Sequence, residues 1–262
     1  MLETGRQTVT AGALAALVAV LPALAAAQMR PDPEATFNAG LAHLREGRAA
    51  LALEEFKKAV RQDPKNPYFY KGLGLAYARL AVEGARPNQG QLSDAIAAFR
   101  KARELNPYYV DLRNDLGSVL VLSGKRAEGK AEFLAAFADP MNPTPELSAY
   151  NLGWAYFEEK NYDQAANWYR TSLARNKAHP PAYLGLADAL AVTGREDQAV
   201  VVLETGVKEA PESAELLLQL GLAYARKGRN PEARARLEEA ARKDPGGAVA
   251  QRATELLKRV PH

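Results

Sequence analysis

The sequence contains no cysteine, so disulfide bonds, thiolate zinc sites and thiol nucleophiles are all excluded. Histidine is almost as scarce, and His43, His179 and His262 do not fall into a metal-binding or catalytic motif. Acidic and basic residues alternate and leave a net charge of only +3, a pattern typical of solvated helix faces rather than of a nucleic-acid surface. We therefore expect no enzyme activity, no cofactor and no metal ion. We also expect neither nucleic acid nor a small-molecule substrate as a ligand.

The N-terminal segment is typical of an export signal. An apolar run from Ala11 to Leu24 is followed by three alanines that end at Ala27 and form an A-x-A cleavage pattern. The run is shorter than the roughly 18 residues that cross a bilayer as a helix. We expect residues 1–27 to be a signal peptide and residues 28–32 a linker, which would make the protein periplasmic, with association to the outer membrane as a further expectation. Two alternatives stay open, a segment retained as a membrane anchor and a cytoplasmic protein.

A glycine recurs along the chain at a spacing of about 34 residues, usually directly after a leucine. The positions are Gly40, Gly74, Gly117, Gly153 and Gly221, with Ala187 in the one remaining place. Apolar residues between them recur at helical spacing. Because two helices cross closely only where their side chains are small, each repeat is predicted to be one helical hairpin. No single hairpin can bury its apolar face alone, so the hairpins must stack.

This pattern resembles the tetratricopeptide repeat (TPR), which has small residues at positions 8, 20 and 27, an aromatic residue at 24 and proline at 32. The resemblance implies an all-α fold, a right-handed α-solenoid of six hairpins, each made of a helix A and a helix B. A capping helix is expected at residues 248–262. Proline at position 32 is expected to end helix B, because it cannot donate the next backbone hydrogen bond. The six repeats are assigned to residues 33–66, 67–109, 110–145, 146–179, 180–213 and 214–247.

Two repeats depart from the regular length. The second carries extra residues in the stretch 81–94, where proline and glycine predict a longer helix A with a protruding turn. The third lacks the usual proline and has three prolines between Asp139 and Pro145, which exclude a helix from this connection.

The resemblance to TPR proteins also implies that the A helices line a concave face that binds a protein partner. Positions 2, 5, 6, 9 and 12 of helix A point into this groove. The candidate groove residues are Phe37, Leu41, Lys71, Leu75, Asn114, Tyr150, Asn151, Trp154, Leu184, Asp188, Leu218 and Leu222. The middle of the groove is apolar and aromatic, so Tyr150 and Trp154 are the best candidate anchors for an apolar or amphipathic segment. The alternative is that Trp154 packs between the helices.

Beyond the repeat itself, the chain resembles the type IV pilus pilotin family, whose members are exported proteins of six TPRs. The resemblance is most specific at Asn114–Lys125 (NDLGSVLVLSGK), Tyr150–Tyr156 (YNLGWAY) and Asn176–Leu190 (NKAHPPAYLGLADAL). It implies a periplasmic helper that brings an outer-membrane secretin to its ring-shaped assembled state.

One feature of that family is missing from this sequence. Pilotins are lipoproteins held to the outer membrane by an acylated cysteine after the signal, and here Ala27 and Gln28 stand at that place. A soluble pilotin, a different start of the chain, and a generic periplasmic TPR adaptor in a cell-envelope or secretion complex therefore stay open.

Overall fold

The computed structural model describes residues 32–261, and within them the regular structure is thirteen α-helices and no strands. The expected signal peptide and residues 28–31 of the expected linker lie outside the described residues. None of the helices in residues 32–261 combines the length and the hydrophobicity needed to span a membrane. The helices are α1 (Pro33–Arg45), α2 (Ala49–Gln62), α3 (Pro67–Ala81), α4 (Gln89–Leu105), α5 (Asp111–Leu122), α6 (Arg126–Ala138), α7 (Pro145–Glu158), α8 (Tyr162–Arg175), α9 (Pro180–Val192), α10 (Glu196–Glu209), α11 (Ala214–Arg226), α12 (Asn230–Lys243) and α13 (Ala248–Leu257).

The helices pair in chain order, each odd-numbered helix A with the even-numbered helix B that follows it. Beyond neighbours in the chain, the A helices of adjacent repeats contact one another, and among the described helices no B helix contacts another B helix. The A helices therefore line the inner face of the stack. Helix α13 contacts both α11 and α12, as the helix A of a further repeat would. The predicted all-helical solenoid of six hairpins with a capping helix is confirmed.

Each hairpin is closed by a small residue on helix A that faces a large one on helix B. A Cβ atom added at Gly153 would lie 2.6 Å from the ring of Tyr169, which is closer than such atoms pack. Gly185 covers the same ring from the next repeat, and a Cβ there would lie 2.5 Å from it. The fifth repeat has Ala187 and Leu203 at these two positions. The other close pairs are Gly40 with Phe56, Gly74 with Phe99, Gly117 with Phe133 and Gly221 with Leu237.

The turn between helix A and helix B contains one residue with positive φ in five of the hairpins. In four of them this residue is a glycine, such as Gly124 with φ 86°. The fourth repeat has Lys160 there, with φ 60°. The following N–H, that of Asn161, donates to the carbonyl of Tyr156 at 2.9 Å, which completes a Schellman motif. Because a lysine Cβ is crowded in the left-handed region, this turn is less favourable than its glycine counterparts.

The B helices end at similar places whether or not a proline stands at position 32. Helix α8 ends at Arg175 although the proline position holds Lys177. The cap residue Asn176 has extended backbone, and its side-chain oxygen accepts from the N–H of Ala178 at 3.0 Å. The same turn forms at Asp63, Asn106 and Asp139. In these four repeats a short polar side chain at the cap ends helix B, with or without a proline after it, whereas the cap of α10 is Ala210, followed by Pro211.

The extra residues of the second repeat do not all extend helix A, as the sequence had predicted. Helix α3 has 15 residues, against 12–14 in the A helices of the other repeats. The B helix α4 has 17 residues, so the insertion lengthens helix B more than helix A. Residues 82–88 form the protruding turn. Asn88 caps α4 by accepting from the N–H of Gln91 at 3.2 Å, which lets helix B begin early.

The proline-rich connection between α6 and α7 is non-helical up to its last proline, and Pro145 is the first residue of α7. Asn142 organises this segment although it is only 8% exposed. Its side-chain amide donates to the carbonyl of Ala136 at 2.7 Å and to the hydroxyl of Ser148 at 3.1 Å. Its side-chain oxygen accepts from the N–H of Thr144 at 3.0 Å. Asn142 therefore ties the end of one repeat to the start of the next.

Candidate functional site

The predicted groove residues lie on the inner A helices, and most of them are half-buried. Asp188 is exposed, whereas Leu218 is fully buried. The half-buried residues are Phe37, Leu41, Lys71, Leu75, Asn114, Tyr150, Asn151, Trp154, Leu184 and Leu222.

Leu218 is the one candidate that the structure removes from the groove. It has 0% exposure and belongs to the apolar core that also contains Ala253 of α13. Because the capping helix packs directly on α11, a side chain at this position faces another helix instead of a partner.

Four candidates of the fourth and fifth repeats come together around one cavity of about 260 Å³ on the inner face. Tyr150 and Trp154 lie one turn apart on α7, and Leu184 and Asp188 lie one turn apart on the neighbouring α9. Adjacent A helices contact each other here, which brings these two pairs face to face. Trp154 also packs against the core residues of the third and fourth repeats, so it has both a core side and a cavity side. We name this space, lined by Tyr150, Trp154, Phe157, Glu158, Tyr169, Pro181, Leu184, Gly185 and Asp188, the α7–α9 cavity.

Sequence reasoning missed several residues of the α7–α9 cavity, notably Glu158 and Gly185. Glu158 is the last residue of α7 and lies one turn beyond Trp154, so helical spacing alone could have included it. Gly185 leaves room for the ring of Tyr169, which forms the floor of the cavity.

The α7–α9 cavity has an acidic character. Partial burial among the aromatic rings raises the pKa of Asp188 above its usual range. The residue as a whole is exposed, so its carboxylate remains partly hydrated. Burial also raises the pKa of the Tyr150 phenol, and the negative charge of Asp188 adds to that effect. Arg226 on α11 acts on Asp188 from the neighbouring repeat and favours its ionised form.

Lys71, a candidate groove residue, pairs with an acidic side chain of the next repeat. Its ammonium lies 3.4 Å from the carboxylate of Asp115 and 4.9 Å from the ring centre of Tyr109. Burial alone would lower the pKa of Lys71, but Asp115 and Tyr109 together raise it. Burial raises the pKa of Asp115 despite the lysine beside it. We expect this pair to join the second and third repeats more than to hold a partner.

Other candidates have structural contacts of the same kind. The amide of Asn151 donates to the side-chain oxygen of Asn114 at 3.4 Å, across the third and fourth repeats. The ring of Phe37 packs on Phe56 and Phe69 at centroid distances of 5.3 and 5.1 Å. These residues border the groove while stabilising the stack.

The histidines in the described residues have packing contacts. His43 is half-buried on α1. The Nδ1 atom of His179 lies 3.0 Å from the hydroxyl of Ser172, and that hydroxyl donates to the carbonyl of Glu146 at 2.8 Å. Nδ1 must therefore carry a proton and act as the donor. Burial lowers the pKa of His179, whose ring packs edge-on against Tyr150.

A larger cavity of about 590 Å³ lies between α10, α11 and α12, away from the predicted groove. Three of its polar side chains already have partners, since the phenol of Tyr224 donates to Glu204 at 2.7 Å and Arg236 pairs with Glu239 at 2.6 Å. Within residues 32–261 no cluster of acidic or histidine side chains could hold a metal ion. We therefore place the candidate site at the α7–α9 cavity.

Comparison with protein-family models gives the same repeat family along most of the chain. A model described as a tetratricopeptide repeat matches twice, at residues 156–216 and 194–257, and two further models of this repeat match 40–80 and 114–181. The type IV pilus assembly protein PilF of Pseudomonas aeruginosa is 27% identical over 157 residues, which covers 60% of this chain and 59% of PilF. The probable UDP-N-acetylglucosamine–peptide N-acetylglucosaminyltransferase SPINDLY of Hordeum vulgare is 29% identical over 143 residues, or 52% of this chain and 14% of that protein. The chain thus spans less than two thirds of each of these curated relatives.

Two solved structures share the fold over most of the chain. The crystal structure of PilW, described as a widely conserved type IV pilus biogenesis factor, has a TM-score of 0.65 at 22% identity and covers 85% of this chain and 98% of PilW. The structure of P. aeruginosa PilF has a TM-score of 0.61 at 20% identity and covers 86% of this chain and 97% of that one. At such low identity these likenesses establish the fold alone.

Proposed function

This chain belongs to the tetratricopeptide repeat family and is a scaffold for protein–protein interaction, and we propose that it binds its partner in the concave groove at the α7–α9 cavity. The observation that carries this proposal is the meeting of Tyr150, Trp154 and Leu184 around an open space on the inner face. Buried aromatic side chains supply most of the binding energy of interfaces, and a groove between helices suits an apolar or amphipathic segment.

We further propose that the partner is an outer-membrane secretin and that the protein assists its assembly during type IV pilus biogenesis. Support comes from the pilotin-like motifs in the third to fifth repeats and from the similarity to PilF and PilW, which are named for type IV pilus assembly and biogenesis. A generic periplasmic adaptor in a cell-envelope or secretion complex is the second candidate. It is favoured by the absence of cysteine from the sequence, because acylation of a cysteine is what the pilotin resemblance implies.

The groove is tested by replacing Trp154 with alanine and co-expressing the full chain with the secretin of the same organism. Removing a central interface aromatic costs about 2 kcal/mol or more, or roughly thirtyfold in affinity, so secretin multimers should disappear from gels. Trp168 is the matched control, since it is also half-buried but lies on α8 against Phe137, at a ring distance of 5.5 Å. Trp168→Ala should preserve the multimers, and both variants should keep their helix content by circular dichroism.

The outcomes separate the parts of the proposal. If Trp154→Ala unfolds the chain while Trp168→Ala does not, Trp154 is a core residue and the groove assignment fails. If deletion of the gene leaves secretin multimers and pili intact, the pilus role is wrong and the adaptor remains.

We also propose that the protein is exported and loses residues 1–27. Mass spectrometry of the protein purified from its native host should then give a terminus near Gln28. An intact terminus at Met1 or Leu2 would refute removal of the segment.

A further inference from the structure

The α7–α9 cavity combines aromatic surface with two carboxylates, Glu158 and Asp188, that face the same space. Within residues 32–261 neither carboxylate accepts a hydrogen bond from a side chain or forms an ion pair closer than 4 Å. In contrast, Asp115 on the inner helix α5 is paired with Lys71. Asp188 is partly desolvated, so a cation placed on its aromatic side would favour its ionised form.

The basic residue that acts on Asp188 does not fill this space. Arg226 lines the adjacent small cavity between α9 and α11 together with Asp188, but it does not line the α7–α9 cavity itself. It therefore approaches Asp188 from the side of the fifth and sixth repeats and leaves the aromatic side open.

The chain already contains the arrangement that would complete the cavity. On another face of α7, the ammonium of Lys130 lies 4.4 Å from the ring centre of Tyr156 and pairs with Glu159 at 2.5 Å. In the sixth repeat, the guanidinium of Arg229 lies 4.0 Å from the ring centre of Tyr224 and 3.7 Å from Glu204. In both places a cation rests on an aromatic ring with a carboxylate beside it.

We propose that the α7–α9 cavity receives an arginine or lysine side chain of the bound partner segment, with the cation between the aromatic surface and Asp188. This inference rests on the proposed groove-binding function. A volume of about 260 Å³ is below the range of roughly 300–1,000 Å³ that small-molecule sites occupy, and suits one large side chain. Arginine fits best, because its planar guanidinium stacks on rings and pairs with a carboxylate at the same time. The partner is therefore an amphipathic segment whose apolar residues flank one buried basic residue.

The test uses a phage-displayed library of random dodecapeptides, selected on the full chain and on its Asp188→Asn variant. Glu238→Gln is the matched control, because Glu238 is an exposed carboxylate on α12, outside the groove. Peptides that bind the unmodified chain, and lose binding to Trp154→Ala, should share a basic residue at one fixed position. The Glu238→Gln selection should enrich the same residue, and the Asp188→Asn selection should not.

The best peptide is then synthesised with its basic residue unchanged and replaced by methionine, and both forms are titrated by calorimetry. We expect the methionine replacement to weaken binding to the unmodified chain about tenfold, and to weaken binding to Asp188→Asn about twofold or less. Glu158→Gln provides a second variant that should reduce the same difference.

Three results would contradict the inference. The proposed cation is refuted, and groove binding stands, if the groove-dependent peptides share no basic residue at a fixed position. The same follows if the methionine replacement lowers the affinity equally for the unmodified chain and for Asp188→Asn. If the library gives no peptide that depends on Trp154, groove binding itself fails and this inference fails with it.

Discussion

The contact between Gly153 and Tyr169 makes a sharp prediction about how the hairpins are held together. Gly153→Ala would place a methyl group 2.6 Å from the ring, and Gly185 on the other side, at 2.5 Å, leaves the ring no room to retreat. Overpacking of this kind costs about 1–3 kcal/mol, and confinement from both sides puts this site near 3. Alanine regains about 1 kcal/mol over glycine in helix propensity. The expected net loss is therefore about 2 kcal/mol.

The assay is urea and thermal denaturation followed by circular dichroism at 222 nm. A loss of about 2 kcal/mol should lower the midpoint by roughly 4–8 °C in a chain of this size. Gly90→Ala is the control, because Gly90 is an exposed helical glycine whose added Cβ would approach only the side chain of Asn88, at 3.3 Å. That variant should be neutral or slightly stabilised.

The fifth repeat suggests a rescue, because it has an alanine and a leucine at these two positions. Gly153→Ala combined with Tyr169→Leu should be destabilised by less than the sum of the two single changes. If Gly153→Ala alone is neutral or stabilising, or if the two changes simply add, the close contact does not fix the crossing of these helices.

Further predictions concern the turns, a buried amide and pH. Lys160→Gly should stabilise the chain by about 0.5–1 kcal/mol by relieving the left-handed backbone, and Gly124→Lys should destabilise it by a similar amount in the same urea titration; equal midpoints would refute this. Asn142→Ala should cost about 1–3 kcal/mol, because buried partners such as Ser148 lose their hydrogen bond, and a loss below 0.5 kcal/mol would show that water replaces it. Burial holds the folded-state pKa of His179 below the usual histidine value of 6.5, so its contribution to stability is complete above pH 6.5 and is lost as the pH falls below it. In His179→Gln the urea midpoint should therefore change less between pH 7.5 and 5.5 than it does in the unmodified chain. An equal change in both chains would contradict the role given to His179.

The sequence by itself determined the architecture of this protein. The recurring small residues at Gly40, Gly74 and Gly117, with a large residue sixteen to twenty-five positions later, are enough to predict stacked helical hairpins. These contacts lie within one repeat, so the residues that meet can be identified from their spacing in the chain. Ends of helices were harder to predict, because Asn176 stops α8 without the proline that usually follows.

The cavity in the groove, and the pairing and exposure of its side chains, depended on contacts between repeats, which cannot be predicted from sequence spacing. The sequence placed Tyr150, Trp154, Leu184 and Asp188 on the inner face, but only packing between α7 and α9 joined them into a cavity with Glu158. Tertiary structure likewise paired Lys71 with its neighbour in the third repeat and buried one predicted groove leucine under the capping helix. Helical periodicity assigns each side chain to a face, whereas its partner and its exposure depend on the neighbouring repeat that packs against that face.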